Sequence, residues 1–556
     1  MAFALLASFA LAAHAADPLD PLGKREPARP GYLPGNPNDP FALPQVERAP
    51  GKAPSDGSGG RVIQRVVFQG NSAISTAELN AVAAPYLNRR LNAADIEELR
   101  QALTRHYIER GYISSGALLE PDPDPQTLSF RIVEGKVRGV RLRGLDGLDN
   151  AYVSDRLVRE ADGPVNIDML RERFQILLGD PLIARMNAQL IPGEQQGEAI
   201  LDIDVLRKRP YQLTAYWNNY HSPAIGAEAV GVVGTMLNLT GRGDRLDVGY
   251  QDSTSTSSGG WATIAWSLPL NYTGTSLNVQ LERDRSAVVE APLDTLNIRS
   301  TLESYDVGIA QVIFESLRHQ LTLGVNVVYR QNTTTLLGEP FSFVPAEPDG
   351  ITRAWTVRLK QDYAYRLEDQ VMALRSTFNF VDNNAQDIEN LPQAPHPDSH
   401  YLYWLGQAQY ARQVMDNGAQ IVLRGTLQAT SSRLLPLDLI PIGGVYSVRG
   451  YRENQIVRDT GAVLNAEFHY PLLLETKQGI GVSLIPFYDW GRGKNQDENA
   501  TVLASYGLGV RVQWKGLQLD FSKAWRLQHP AILDQLHGNL QDRGINFQLT
   551  YSFFGL

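Results

Sequence analysis

Two short motifs late in the chain place charge beside glycine and aromatic rings: Val448-Arg449-Gly450-Tyr451 and Phe487-Tyr488-Asp489-Trp490-Gly491. A guanidinium such as that of Arg449 carries a planar fork of donors. A carboxylate such as Asp489 accepts a fork of this kind bidentately, which holds one stretch of chain at one spot. Taken alone, four residues around Arg449 are equally compatible with a solvated loop. Bond-making chemistry finds no support. The chain contains no His-Glu-x-x-His, no Gly-x-Ser-x-Gly, no Walker-type lysine loop and no cysteine nucleophile. Its nine histidines are scattered: His106 in a helical stretch, His319 at a strand start, His400 near a loop end. They read as surface or rim residues. Asp122-Pro123-Asp124-Pro125 has the acid density of a calcium loop but lacks the glycine and closing glutamate of an EF-hand, so it reads as a hairpin turn. No catalytic residue, metal or cofactor is expected.

The elements that carry both motifs read as strands. From Tyr211 onward the chain is patterned with period two over about sixteen short runs, among them Leu321-Leu323-Val325-Val327-Tyr329 and Ala419-Ile421-Leu423-Gly425-Leu427. Polar residues such as Gln320, Thr322 and Asn326 alternate with them, so each strand has one greasy and one wet face. The connections decide which face points outward. Gly241-Arg242-Gly243, Asp416-Asn417-Gly418 and Lys515-Gly516 are tight turns, whereas 286–301, 332–352, 383–399, 432–459 and 526–543 are long and polar. Short and long connections are expected to alternate strictly. Short turns at one rim and long loops at the other are the pattern of an outer-membrane β-barrel, here over residues 210–556.

Composition agrees. With 43% hydrophobic and 9% aromatic residues in 556, the chain is folded and long enough for several domains. No apolar run after residue 16 approaches the ~18 residues that a spanning helix needs. Residues 1–16 are nearly all apolar and end in Ala13-His14-Ala15, a small-x-small site that marks a secretory signal. The absence of cysteine leaves strand ladders and packed faces to stabilise an exported protein. A net charge of −9 argues against a nucleic-acid partner, which requires a clustered basic surface. Residues 17–60 are proline-dense and read as an extended linker with no convincing amphipathic helix.

Two units of similar order follow. In residues 61–136 a strand (62–68) leads to a helix starting at Ser75 or Thr76, a second helix over 93–110 ended by Gly111, and strands at 115–119 and 127–134. In 137–209 a strand (137–142) precedes helical material from Ala151 to about Gln189 and a strand at 199–206.

This β-α-α-β-β order resembles POTRA domains, and two such units before a sixteen-stranded antiparallel barrel resemble the two-partner secretion translocators (TpsB family) of Gram-negative outer membranes. Val448-Arg449-Gly450-Tyr451 is similar to the motif at the tip of the family's inward-folded loop, here 432–459. Phe487, Asp489 and Gly491 match its Phe-x-Asp-x-Gly motif, here on the thirteenth strand. The resemblance implies that Arg449 meets Asp489 on the lumenal wall, in a wet lumen that would screen the pair. Asn238-Leu239-Thr240-Gly241-Arg242-Gly243-Asp244 resembles the family's periplasmic turn, which makes its Arg-Gly-Asp an accident rather than an adhesion ligand. Phe553-Phe554 is similar to the aromatic end of an outer-membrane assembly signal. Implied partners are a secreted TpsA-like exoprotein, outer-membrane lipid and, during biogenesis, the barrel-assembly machinery. The alternative within the same superfamily is a barrel-assembly factor.

Overall fold

A computed structural model of the chain describes residues 31–32, 41–42, 60–158, 163–195, 197–255, 259–344, 348–386, 396–473, 479–529 and 538–554. The expected signal peptide and most of the proline-dense stretch, with the question of a plug helix there, lie outside these residues. The chain divides into two compact units: residues 36–208, and residues 209–556 together with the N-terminal stretch to Gly35.

In the larger unit an antiparallel sheet closes on itself. Strands one to eight are Tyr211–Asn218, Ala229–Leu237, Arg245–Ser253, Gly260–Pro269, Thr275–Ala287, Arg299–Glu315, His319–Leu336 and Ile351–Arg366. Strands nine to sixteen are Gln370–Asn383, His400–Gln413, Gln420–Ala429, Thr460–Leu473, Ile480–Lys494, Thr501–Trp514, Leu517–Arg526 and Ile545–Phe554. Strand one pairs with strand two on one side and strand sixteen on the other, so no sheet edge is left open. Strand seven shows the physics of the wall. Leu323, Val325 and Val327 stand exposed on the outer face, while Asn326, Arg330, Asn332 and Thr334 are buried on the inner one. Such an apolar outer face is covered without cost only by lipid. No helix among the described residues is long and apolar enough to cross a membrane.

The rims differ as the sequence suggests, with one correction. At the long-loop rim, connections 254–259 and 495–500 are no longer than turn 238–244 at the other, so the alternation is not strict. That turn is tied by Asp244, which is fully buried. Its carboxylate accepts from the Thr240 amide (2.9 Å), the Thr240 hydroxyl (2.7 Å) and Trp266 Nε1 (2.9 Å). The Arg-Gly-Asp sequence is therefore part of a closed turn. Tyr32 also belongs to this unit: its hydroxyl donates to Gln420 Oε1 (2.8 Å) and its ring packs on Val371, Ala411 and Val422.

The smaller unit contains two α+β layers. In the first, Arg65–Gln69 runs parallel to Thr127–Val133, which pairs antiparallel with Gly116–Glu120. Ser75 caps helix Thr76–Ala83, and a capping box of Asn92 and Asp95 starts helix Ala93–Glu109. That helix buries Leu99, Leu103 and Tyr107 against Phe68 and Phe130. The expected strand over 62–68 is broken in two. Both Gln64 and Arg65 donate to the Gln126 carbonyl, and this kink sends Arg61–Ile63 to pair with Arg89–Leu91 instead. Asp122 and Asp124 hold their own turn, accepting from the amides of Asp124 and Gln126.

In the second layer Lys136–Arg143 runs parallel to Glu198–Arg207, with helices Asn150–Leu157 and Ile167–Leu178 between them in sequence. The helical reading of 151–189 runs too far. The helix ends at Leu178, Asp180 Oδ1 accepts from the Leu182 amide, and Ile183–Pro192 is a strand. Met186, Ala188 and Leu190 are buried with period two, a strand signal masked by the helix-favouring residues before it. The outer edge of this strand is covered by Phe41–Ala42, which lies parallel to Ala188–Gln189.

Candidate functional site

The connection between strands eleven and twelve, residues 430–459, folds inward as an arm. Its sides pair as a short hairpin, Ile440–Ile442 against Ile456–Arg458, and its tip carries Val448-Arg449-Gly450-Tyr451. Strand thirteen presents Phe487, Asp489 and Gly491 on its inner face, because alternate residues of one strand share a side. The structure brings all seven residues together.

Arg449 is 7% exposed and Asp489 is fully buried. Nε of Arg449 donates to Asp489 Oδ2 (2.7 Å) and Nη2 donates to Oδ1 (2.8 Å), a fork-to-fork pair, while the Arg449 amide also reaches Oδ2 (3.1 Å). The guanidinium lies flat on the Phe487 ring, 3.5 Å from its centroid. Gly491 is a notch: a Cβ there would sit 2.5 Å from Ile442 Cγ2 and 2.9 Å from Val448 Cγ2. Gly450 has φ +93°, a conformation that glycine adopts without the Cβ penalty. Val448 and Tyr451 are buried with Ile440, Ile442, Ile456, Val463 and Leu503. The Tyr451 hydroxyl lies 2.7 Å from the Gln528 carbonyl oxygen and 3.0 Å from that of Ala504.

Sequence reasoning missed half of the charge balance. Arg449 Nη1 also pairs with Glu467 of strand twelve (2.8 Å), and Asn465 of that strand donates to Asp489 Oδ1 (2.7 Å). Glu467 further accepts from Arg424 (2.6 Å) and from His469 (2.7 Å). Two guanidiniums thus face two carboxylates, with the Asn465 amide between them. Period two marks Asn465 and Glu467 as inward-facing, but nothing in it says what they meet. The expectation of a screened pair is also corrected: packing of Phe487 and the tip leaves almost no room for water at Arg449. Beyond the tip, Arg452 donates to Asp542 (2.8 Å) and Glu290 (2.9 Å), joining three of the long loops. The singled-out histidines lie elsewhere: His106 against Glu78, His319 against Tyr363, His400 against Asp382. The arrangement holds the tip of a loop against the barrel wall.

Comparison with known proteins gives the same picture. Residues 197–512 match the family model for haemolysin secretion/activation proteins ShlB/FhaC/HecB, and residues 62–135 match that for the ShlB-type POTRA domain. The outer membrane transporter CdiB of Dickeya dadantii is 22% identical over 85% of this chain and 84% of its own length. The heme/hemopexin transporter protein HuxB of Haemophilus influenzae is 23% identical over 83% and 80%. The solved structure of CdiB from Escherichia coli superposes with a TM-score of 0.69 at 19% identity, covering 90% of this chain and 92% of that one. With the closed barrel, the inward loop and a family match spanning more than half of its residues, the chain belongs to the ShlB/FhaC/HecB haemolysin secretion/activation proteins, the outer-membrane transporters of two-partner secretion.

Proposed function

We propose that the two POTRA-like units (61–136 and 137–209) receive an unfolded partner protein, that the barrel lumen conducts it to the cell surface, and that the Arg449–Asp489 contact latches the arm that closes the path. The observation that carries this reading is the arm itself: a long loop turned into a polar tube and held there by buried ion pairs, where a passive pore would need none. Docking is supported by the second layer, whose edge strand Lys136–Arg143 borders a groove of about 450 Å³ lined both by Val137, Val140, Leu157 and Met169 and by Lys136, Arg138 and Arg173. An added strand gains backbone hydrogen bonds there with little selection of side chains. The outer face of the barrel meets lipid, and the final strand with Phe553-Phe554 is what the barrel-assembly machinery would recognise. The driving force is cargo folding outside. A barrel-assembly role shares both motifs, but the relatives above are named as transporters, and this reading takes their class.

Deleting residues 61–208, which removes both units and the groove, tests the docking. Surface display of the partner protein is expected to be lost while a heat-modifiable barrel still inserts; normal display from the truncated protein overturns the docking role.

A further inference from the structure

The arm has a second attachment that no motif marks. Just before the hairpin, Asp438 is buried with its carboxylate ringed by wall residues. Arg330 Nη2 of strand seven donates to Oδ1 (2.7 Å) and Oδ2 (2.9 Å). Tyr401 and Tyr403 of strand ten donate to Oδ2 (2.6 Å) and Oδ1 (3.0 Å). Leu434 and Leu435 pack beside them on Ala354 and Val381 of strands eight and nine. Gln428 Nε2 donates to the carbonyls of Asp438 (2.8 Å) and Asp459 (3.1 Å), tying the two ends of the arm together.

We infer that Asp438, Arg330, Tyr401 and Tyr403 form a root lock, separate from the tip, which fixes the base of the arm so that the tip swings while the base stays in place. Asp438 is a positioning residue in this scheme. The chemistry argues for a built site. A carboxylate with its water removed is tolerated only when each oxygen has donors, and here both oxygens have two. The two attachments share no residue: the root is held by strands seven and ten and the tip by strands twelve and thirteen, so each can be broken by a substitution that leaves the other's contacts in place. Between them lie Gly443 (φ +116°) and Gly444 (φ +104°), in backbone conformations that favour glycine and that set the turn from the hairpin into the tip. This inference rests on the reading of the arm as the closing element, and its test separates the two.

The chain has no cysteine, so single reporters can be introduced cleanly. Leu435→Cys reports on the root and Val448→Cys on the tip; both positions are fully buried. Labelling by a water-soluble maleimide is followed on the purified, folded full-length protein. Asp438→Asn is expected to speed labelling at 435 about a hundredfold, as loss of one partner of a buried pair does to local opening, and to leave 448 within about twofold. Arg449→Ala is expected to do the reverse. Continued protection of 435 in Asp438→Asn, or exposure of both reporters together, overturns the root lock. Continued protection of 448 in Arg449→Ala instead counts against the tip latch and leaves the root result standing. If Asp438→Asn does not yield a heat-modifiable barrel, Tyr401→Phe with Tyr403→Phe removes two donors without stranding a charge. A rise of about tenfold at 435 is then expected, and none overturns the lock.

Discussion

The tip and the root of the arm solve one problem with opposite chemistry. At the tip a loop-borne cation, Arg449, enters a wall that supplies carboxylates, Asp489 and Glu467. At the root a loop-borne carboxylate, Asp438, enters a wall that supplies a cation and two phenols. The tip carboxylates keep other partners when the arginine leaves: Asn465 for Asp489, Arg424 and His469 for Glu467. Arg330 at the root has a weaker fallback, one contact of 3.4 Å to Thr356, and its Nε has no partner among the described residues. The difference teaches that the wall at the tip stays partnered without the arm's arginine, as the proposed latch requires. The root has no comparable reserve.

The largest effect expected is at the tip pair. Arg449→Ala and Asp489→Ala should each weaken closure by ~3 kcal/mol, the low end of the cost of breaking a buried pair, because the groups left behind keep other partners. The double variant should lose little more than Arg449→Ala alone, which already removes the contacts to both Asp489 and Glu467. Planar-bilayer conductance of the purified barrels measures this, and fully additive changes would break the latch. Next comes the notch. Gly491→Ala puts a methyl into Ile442 and Val448 and should loosen the tip by up to ~3 kcal/mol. Gly425→Ala, whose nearest neighbour would be Leu464 at 3.4 Å, should have no effect and serves as the control.

Acid sharpens the comparison from the tip side. His221, in the loop between strands one and two, is pushed down to about 4 by burial. Gln541 joins that loop to the arm, donating to the His221 carbonyl (2.6 Å) and accepting from the Glu453 amide (2.9 Å). In this structure the imidazole stays neutral; the prediction is that release of the arm frees this loop and hydrates the ring, which then takes up a proton below its ordinary 6.5. Opening should therefore become easier as pH falls from 6.5 towards 4, by ~2 kcal/mol at pH 5, with no further gain below 4. Conductance at pH 7.5 and 5 reads it, and His221→Gln should flatten the dependence. The smallest effect is that of Tyr451→Phe, which removes the hydroxyl that contacts the backbone of Gln528 and Ala504 and should cost ~1 kcal/mol in the same assay.

The barrel was legible because period two and rim asymmetry are local properties, repeated sixteen times. Arg449 and Asp489 were legible because each sits in a recognisable short motif. Glu467 and Asn465 were half legible: their strand positions point them inward, but their partners depend on where a loop comes to rest. The root was not legible at all. Asp438 stands in Pro436-Leu437-Asp438-Leu439, an ordinary stretch of loop, and Arg330 is one inward polar residue among several. They meet across 108 residues, a separation that no local pattern encodes. The strand at 183–192 was missed for a different reason: its alternation follows directly on a helix, and a window spanning both averages the two periods.

An arm fastened to strands seven and ten at one end and to strands twelve and thirteen at the other has a mechanical consequence. Neighbouring strands of a closed sheet are joined only along their hydrogen-bond ladders, so a tube of sixteen strands flexes readily out of round. A strut tied across the interior turns that tube into a braced frame and suppresses its breathing in cross-section. On the proposed latch, unfastening the strut at the tip would soften the wall as well as clear space, letting the bore adapt its shape to whatever passes through it.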